Sequence, residues 1–152
     1  MPYRARGRYF EEFKVGETFE SQGRTVEAGD VSRFAGLTGD FNPLHTDEET
    51  ARRLPMGSRV AHGLLTLGIS GGQQNQLGLF EGTSLALLGL DKVRFTAPVR
   101  FGDTVRTELT VRETRESSKP DRGVVVFDTV VKNQRGETVL QFEQAVLLMR
   151  RK

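Results

Sequence analysis

The residues best suited to chemistry lie close together in one loop. Asp40 and His45 are five positions apart, with Asn42 and Pro43 between them. A proline at this place prevents one continuous helix from joining the two side chains, and an asparagine followed by a proline favours the start of a turn. We therefore expect the loop to curve and to bring a carboxylate and an imidazole to one point.

A carboxylate beside an imidazole supplies one base and one acid. Addition of water across a conjugated double bond needs such a pair, because a base takes a proton from water as oxygen attacks the β-carbon and an acid then protonates the α-carbon. The residue types leave open which of Asp40 and His45 is the base. Asn42, in the same loop, is a candidate supporting residue.

The same reaction needs hydrogen-bond donors for the negative charge that develops on a thioester oxygen. Unpaired backbone N–H groups at the start of a helix supply such donors. Gly63 opens an apolar segment directly after His62. Because glycine has no Cβ, a ligand carbonyl can approach the backbone there closely. Gly63 is therefore the candidate oxyanion-hole residue.

Each of these residues also fits a structural role. Asp40 fits the cap of a turn, and we expect Asp47 to cap the helix that follows it. His62 is also a candidate site residue, but we expect it to have a structural role beside the turn. The chain has two histidines and no cysteine, so His45 and His62 lack the third nitrogen or sulfur ligand of a metal site, and we expect no metal.

The elements that must position the loop follow from the spacing of apolar residues. The segment before the loop has one apolar helical face, with Asp30 as the expected N-cap and Gly39 as a left-handed residue that ends the helix. An aromatic opening predicts a short helical turn that leads into a strand over residues 17–26. Residues 47–54 predict a surface helix. Residues 63–76 predict a buried helix whose glycines allow close packing against a sheet.

The second half of the chain has the pattern of half-buried strands. Four segments are long and rich in valine, threonine, leucine and phenylalanine: 85–98, 103–115, 123–133 and 137–149. Apolar and polar residues alternate along the second of them. Helices followed by a run of antiparallel strands predict an α+β fold in which a sheet covers one apolar helix. We expect all 152 residues to form one domain.

Composition narrows the class of protein. The formal net charge is only +2, and the sequence has no internal basic stripe with interleaved aromatics of the kind that binds nucleic acid. We therefore expect no nucleic-acid partner. No apolar run approaches the roughly 20 residues of a membrane helix, and the first residues lack the apolar core of a signal peptide. The absence of cysteine excludes disulfides and a cysteine nucleophile. We expect a cytoplasmic protein with no membrane partner.

Two stretches together carry a family resemblance. Gly-Asp-Phe-Asn-Pro-Leu-His-Thr-Asp over 39–47 and Val-Ala-His-Gly-Leu-Leu over 60–65 resemble the MaoC-like dehydratases, the (R)-specific enoyl-CoA hydratase family. The resemblance covers nearly the whole chain. It implies a hot-dog fold, with an antiparallel sheet wrapped around a long central helix, and a homodimer or higher homo-oligomer with the active site near the subunit boundary. By motif position, Asp40 and His45 match the catalytic pair and Gly63 matches the oxyanion-hole amide.

One position departs from the family pattern. Gly71 stands, by an ungapped count, where better-studied members carry a serine in the central helix. Ser70 is adjacent but lies about 100° away around a helix. Ser70 is a candidate supporting residue only if the helix register shifts. The motif therefore indicates a reaction type and does not name the substrate.

The first hypothesis is reversible hydration of a trans-2-enoyl-CoA to an (R)-3-hydroxyacyl-CoA, or dehydration of a related hydroxyacyl-CoA. Asp40 and His45 would hold the water and share the acid and base roles. Coenzyme A is then part of the acyl-CoA thioester substrate, and no separate cofactor is expected. A hot-dog acyl-CoA thioesterase and a non-catalytic acyl-CoA binding module are the alternatives. Acyl chain length, the choice between coenzyme A and acyl carrier protein, and the physiological direction stay open.

Overall fold

Six antiparallel strands form one sheet in the computed structural model, which describes residues 3–151. They are β1 (Thr18–Glu20), β2 (Arg24–Thr25), β3 (Ser84–Phe95), β4 (Thr104–Glu116), β5 (Arg122–Lys132) and β6 (Thr138–Met149). The order across the sheet is β1-β4-β5-β6-β3, and β2 also pairs with β4. Within the described residues β3 pairs only with β6, so β3 is an edge strand.

Four α-helices are found in the described part of the chain: α1 (Ala28–Thr38), α2 (Pro43–Thr46), α3 (Glu48–Ala51) and α4 (Gly63–Gln76). The longest, α4, packs against β4, and its Ile69 shares a buried core with Val105 and Leu140 of the sheet. The bounds of α4 match the predicted buried helix. An antiparallel sheet around this helix is the hot-dog fold, which confirms the predicted α+β class.

The strand β4 confirms the alternation of apolar and polar residues seen in the sequence. In β4, Val105, Thr107, Leu109 and Val111 are buried, whereas the residues between them are exposed or half-buried. Burial with a period of two is expected for a strand with one face on the core.

None of the helices that the structure describes between residues 3 and 151 is long and apolar enough to span a membrane.

The single strand predicted over 17–26 is wrong, since two short strands, β1 and β2, replace it. Ser21 lies between them, and its hydroxyl oxygen accepts the Thr107 N–H at 2.9 Å. The Ser21 N–H in turn donates to the Thr107 carbonyl oxygen at 2.9 Å. A side chain thus takes the place of a backbone acceptor, and regular strand pairing stops at this residue.

The predicted N-cap at Asp30 is wrong by three residues. α1 begins at Ala28 with Glu27 as its N-cap, so Asp30 is the third helical residue. Its carboxylate reaches back and accepts the Glu27 N–H at 3.0 Å, which satisfies a donor at the helix start from inside the helix. At the other end, Gly39 closes α1 with φ 79°, which confirms the predicted left-handed residue.

Asp47 caps the helix that follows the loop, as predicted. Its carboxylate accepts the Thr50 hydroxyl at 2.6 Å and the Thr50 N–H at 3.1 Å, and these hydrogen bonds hold the pKa of Asp47 below its ordinary value. The helix itself is shorter than the predicted 47–54. The N–H groups of Arg53 and Leu54 bond only three residues back, and Pro55 has no N–H with which to continue.

A series of buried polar side chains fixes α4 against the sheet. The Gln144 amide donates to Gln74 at 2.6 Å, and the Gln74 amide donates to Ser70 at 3.3 Å. The Thr107 hydroxyl lies 3.0 Å from the Ser70 hydroxyl and 2.8 Å from the Gln73 carbonyl oxygen. Because a hydroxyl has one hydrogen and an amide oxygen only accepts, Thr107 donates to Gln73 and accepts from Ser70. We call these five residues the buried polar chain.

Candidate active site

Asp40 lies directly after the left-handed residue that ends α1. The Asp40 N–H donates to the Thr38 hydroxyl at 3.3 Å, and one carboxylate oxygen, Oδ1, accepts the Asn42 N–H at 3.2 Å. The other oxygen, Oδ2, makes no hydrogen bond within the described residues, and the side chain is 52% exposed. The turn therefore holds one carboxylate oxygen and leaves the second free to meet water or a substrate.

His45 is positioned by a one-turn helix. Asn42 caps α2 by accepting the Leu44 N–H at 3.1 Å, and Pro43 takes the first helical position. His45 Nδ1 lies 2.7 Å from the carbonyl oxygen of Val60. Because a carbonyl only accepts, Nδ1 carries the hydrogen, and Nε2 of the neutral ring is the acceptor. Asn42 thus supports the site by shaping the loop.

His62 lies behind both of these residues and is 2% exposed. Its Nε2 is 3.0 Å from the Asp40 carbonyl oxygen and 3.9 Å from Asp40 Oδ2. Its ring stacks on that of His45, with centroids 3.8 Å apart and an interplanar angle of 28°. The sequence interpretation favoured a structural role for His62 over a role in the site, and it did not predict these contacts. The sequence feature that could have indicated a role for His62 in the site was its position immediately before Gly63.

The loop brings Asp40 and His45 together. One nitrogen or oxygen atom from each of Asp40, His45 and His62 lies within 4.8 Å of the others. The three groups suit proton transfer better than metal coordination. The lone pair of a ring nitrogen lies in the plane of the ring, and two nearly parallel stacked rings do not aim their lone pairs at one ion. His62 Nε2 also has its hydrogen directed at a carbonyl oxygen.

Gly63 is the first residue of α4. No side chain caps this helix start, and the Gly63 N–H makes no hydrogen bond within the described residues. A Cβ at Gly63 would lie 2.9 Å from Cδ1 and Cε1 of Phe95, so the close approach of this ring depends on glycine. A cavity of about 340 Å³ opens beside it, lined also by Thr66, Pro98 and Val139. The structure thus offers a free backbone donor at the edge of a cavity.

Ser70 and Gly71 occupy different surroundings on α4. Ser70 is fully buried in the buried polar chain, and within residues 3–151 no hydrogen bond joins it to Asp40 or His45. Gly71 is exposed and lines an apolar groove between α4 and β3, together with Leu64. A Cβ at Gly71 would meet nothing within 4 Å. The structure therefore does not bring Ser70 to the pair, and position 71 has room for a side chain.

The chain is similar in sequence to proteins of known families. Residues 11–133 match the family model described as MaoC like domain. The chain is 33% identical over 144 residues to the (R)-specific enoyl-CoA hydratase of Rhodospirillum rubrum, over 92% of this chain and 91% of that protein. It is 39% identical over 109 residues to the 3-hydroxybutyryl-CoA dehydratase of Methylorubrum extorquens, over 69% of this chain. That match spans 64% of the Methylorubrum protein, which is less than two thirds of its length.

A solved structure extends the similarity to the fold. The MaoC-like dehydratase from Rhodospirillum rubrum superposes with a TM-score of 0.86 at 34% identity, over 96% of this chain and 99% of that chain. The family model covers the loop with Asp40 and His45 as well as the start of α4. By its sequence and its fold, the chain belongs to the MaoC-like dehydratase family.

Proposed function

We propose that this protein is a hydro-lyase that hydrates a trans-2-enoyl-CoA reversibly to an (R)-3-hydroxyacyl-CoA, or dehydrates a related hydroxyacyl-CoA. One observation carries the proposal: the Asp40 carboxylate and the His45 imidazole meet within 4.8 Å in a loop beside the uncapped start of α4. The names of the Rhodospirillum and Methylorubrum relatives support the same class of substrate.

Asp40 Oδ2 and His45 Nε2 are the atoms available for proton transfer, since neither is hydrogen-bonded in the described part of the chain. A water molecule held between them loses a proton to one of the two groups as its oxygen bonds to the β-carbon. The electron pair of the double bond moves onto the thioester as an enolate. That proton then passes from the pair, directly or after transfer between the two groups, to the α-carbon, so the pair ends in the protonation state in which it began. The sum is addition of one water, so the chemistry needs no oxidant, reductant or separate cofactor.

The Gly63 N–H is the proposed donor to the enolate oxygen. It lies at the positive end of the α4 dipole, and the helix holds it in place before the substrate arrives. Preorganised donors of this kind stabilise charge that develops in the transition state. The cavity beside Gly63 has a largely apolar lining that includes Phe95 and Val139, and we assign part of the acyl-CoA to it.

We also propose that the protein works as a homodimer, because the site is open in the single chain. Asp40, Phe41 and Leu64 are exposed around it, and the edge strand β3 exposes Leu87 and Leu88. A long apolar edge strand is a template for pairing with another chain. A second copy against β3 would bury this surface and keep bulk water away from the enolate.

Turnover of crotonyl-CoA tests the proposed reaction. Hydration lowers the enoyl absorbance and releases no thiol. We expect Asp40→Asn and His45→Ala each to lower turnover about 100-fold or more, the usual scale for an acid or base group. Both variants should fold, because these loop residues contribute little to the core. Asp47→Asn is the matched control, since asparagine also caps helices and Asp47 lies outside the pair.

The same assay separates the alternatives. Unchanged turnover in Asp40→Asn would contradict the proposed acid–base role. Release of a free thiol, detected with a thiol reagent, would identify a thioesterase. Binding of coenzyme A without either signal, in wild type and variants alike, would identify a non-catalytic binding module. Loss of the folded state in either variant would assign that residue a structural role.

A further inference from the structure

His62 contacts both members of the proposed catalytic pair. It meets Asp40 through a hydrogen bond of 3.0 Å and His45 through a ring stack with centroids 3.8 Å apart. The His62 ring also lies against the Phe34 ring, with centroids 4.9 Å apart. As the N-cap residue of α4, it also directly precedes Gly63. One buried side chain therefore links the acid, the base and the start of the helix.

The hydrogen bond from His62 Nε2 connects Asp40 to a distant part of the chain. The other two hydrogen bonds of Asp40, to Thr38 and from Asn42, connect residues only two positions apart. They set the shape of the loop but not its place on the fold. The bond from His62 crosses 22 positions of the chain to the Asp40 carbonyl oxygen. Within the described residues, no other hydrogen bond joins Asp40 to the rest of the protein.

The segment before α4 is itself fixed to the sheet region. Ala61 donates its N–H to the Val99 carbonyl oxygen at 2.8 Å, and Val60 forms an isolated bridge with Arg100. Val60 also supplies the carbonyl oxygen that holds His45 Nδ1. Residues 60–62 therefore set the place of both catalytic side chains relative to the Gly63 N–H.

Stability alone does not explain a histidine at this position. Nε2 donates to the Asp40 carbonyl oxygen, while Nδ1 is buried and has no partner in residues 3–151. A buried polar atom without a partner lowers stability, and an apolar aromatic ring would avoid that cost. The bond made by Nε2 is what the histidine provides and a phenylalanine would not.

We propose that His62 is a positioning residue: it orients Asp40 through the Nε2 hydrogen bond and His45 through the ring stack. The inference rests on the proposed hydratase function. His62 does not itself carry the proton, because its Nε2 hydrogen is committed to the Asp40 carbonyl oxygen. Asp40 Oδ2, at 3.9 Å from Nε2, is beyond hydrogen-bonding distance.

Three variants separate the hydrogen bond from the ring. His62→Phe keeps an aromatic ring and removes the donor. His62→Gln removes the ring but places an amide N–H donor near the position of Nε2. His62→Asn also removes the ring, and its side chain is too short for the amide N–H to reach Asp40. We expect kcat for crotonyl-CoA to fall about 10- to 100-fold in the Phe and Asn variants, since a displacement of about 1 Å can cost that much. KM should stay within about twofold of the wild-type value, because substrate binding is not the property that His62 controls.

The Gln variant should have a higher kcat than the Phe and Asn variants, although lower than that of the wild type. Thermal unfolding should show the Phe variant to be as stable as the wild type or more so. A Phe variant with wild-type kcat would overturn the proposal, as would a loss confined to KM. If the Phe variant does not fold, the Gln and Asn variants decide, and equal kcat in these two would overturn it. A wild-type protein without hydration activity would count against the proposed function instead, so the two failures are distinguishable.

Discussion

The buried polar chain depends most on Thr107, which connects the sheet to two residues of α4. Thr107→Val removes the hydroxyl but keeps the volume and the branched shape that suit a strand. The Gln73 carbonyl oxygen would lose its donor at 2.8 Å, and the Ser70 hydroxyl would lose its acceptor at 3.0 Å. Water cannot replace either partner easily, because Ser70 and Thr107 have no exposed surface and Gln73 has almost none.

The size of the effect follows from these two unpaired groups. Leaving a buried polar group without a partner costs about 1–3 kcal/mol. The Ser70 hydroxyl can rotate, and the Gln73 amide keeps its bonds to the carbonyl oxygens of Gln22 and Val105. We therefore expect the free energy of unfolding to fall by about 2–4 kcal/mol, below the sum of the two upper limits. For a chain of this size that corresponds to a decrease in Tm of about 5–15 °C.

Urea unfolding followed by circular dichroism measures this difference. Thr110→Val is the matched control, because Thr110 lies on the same strand and its hydroxyl, 3.2 Å from that of Thr18, is at the surface. Water can replace that partner, so the control should change stability by no more than about 0.5 kcal/mol. Equal losses in the two valine variants would refute the reasoning, since they would mean that the buried polar chain contributes nothing beyond an ordinary surface contact.

Two further predictions concern the site and its surroundings. Gly63→Ala places a methyl group 2.9 Å from the Phe95 ring and over the approach to the N–H, so kcat for crotonyl-CoA should fall about 10-fold or more. The control Gly72→Ala, where a Cβ meets nothing within 4 Å, should keep its activity, and equal kcat in the two variants would argue against the oxyanion role of Gly63. Leu87→Glu places a charge on the exposed face of β3 and should convert the dimer to a monomer in sedimentation experiments. The control Val15→Glu, at an exposed position before β1, should remain a dimer, and a monomeric wild type would rule out the proposed homodimer.

Local patterns in the sequence were sufficient for most of the fold. Segments rich in valine, threonine, leucine and phenylalanine predicted the four long strands, and in β4 the alternation of apolar and polar residues predicted which side chains face the core. The bounds of α4 followed from an apolar run that begins and ends at clear breaks. Pro43 predicted that a turn, and not one helix, would bring Asp40 and His45 together, because proline at that place stops a helix regardless of tertiary context.

Other features depend on residues far apart in the chain. Ser21 interrupts the first strand because its hydroxyl meets Thr107, which no local pattern near Ser21 indicates. The helix α1 begins at Ala28, earlier than predicted, because Asp30 bonds back to the Glu27 N–H from the third helical position.

The motif around Asp40 and His45 was sufficient to predict an acid–base pair, and the position of Gly63 after His62 was sufficient to predict its oxyanion partner. Only the tertiary structure placed His62 against that pair, since the hydrogen bond and the ring stack join segments that are brought together by the pairing of Ala61 with Val99. Side-chain types and local spacing carry the chemistry of a loop, whereas the contacts that hold the loop in place come from the packing of the whole sheet.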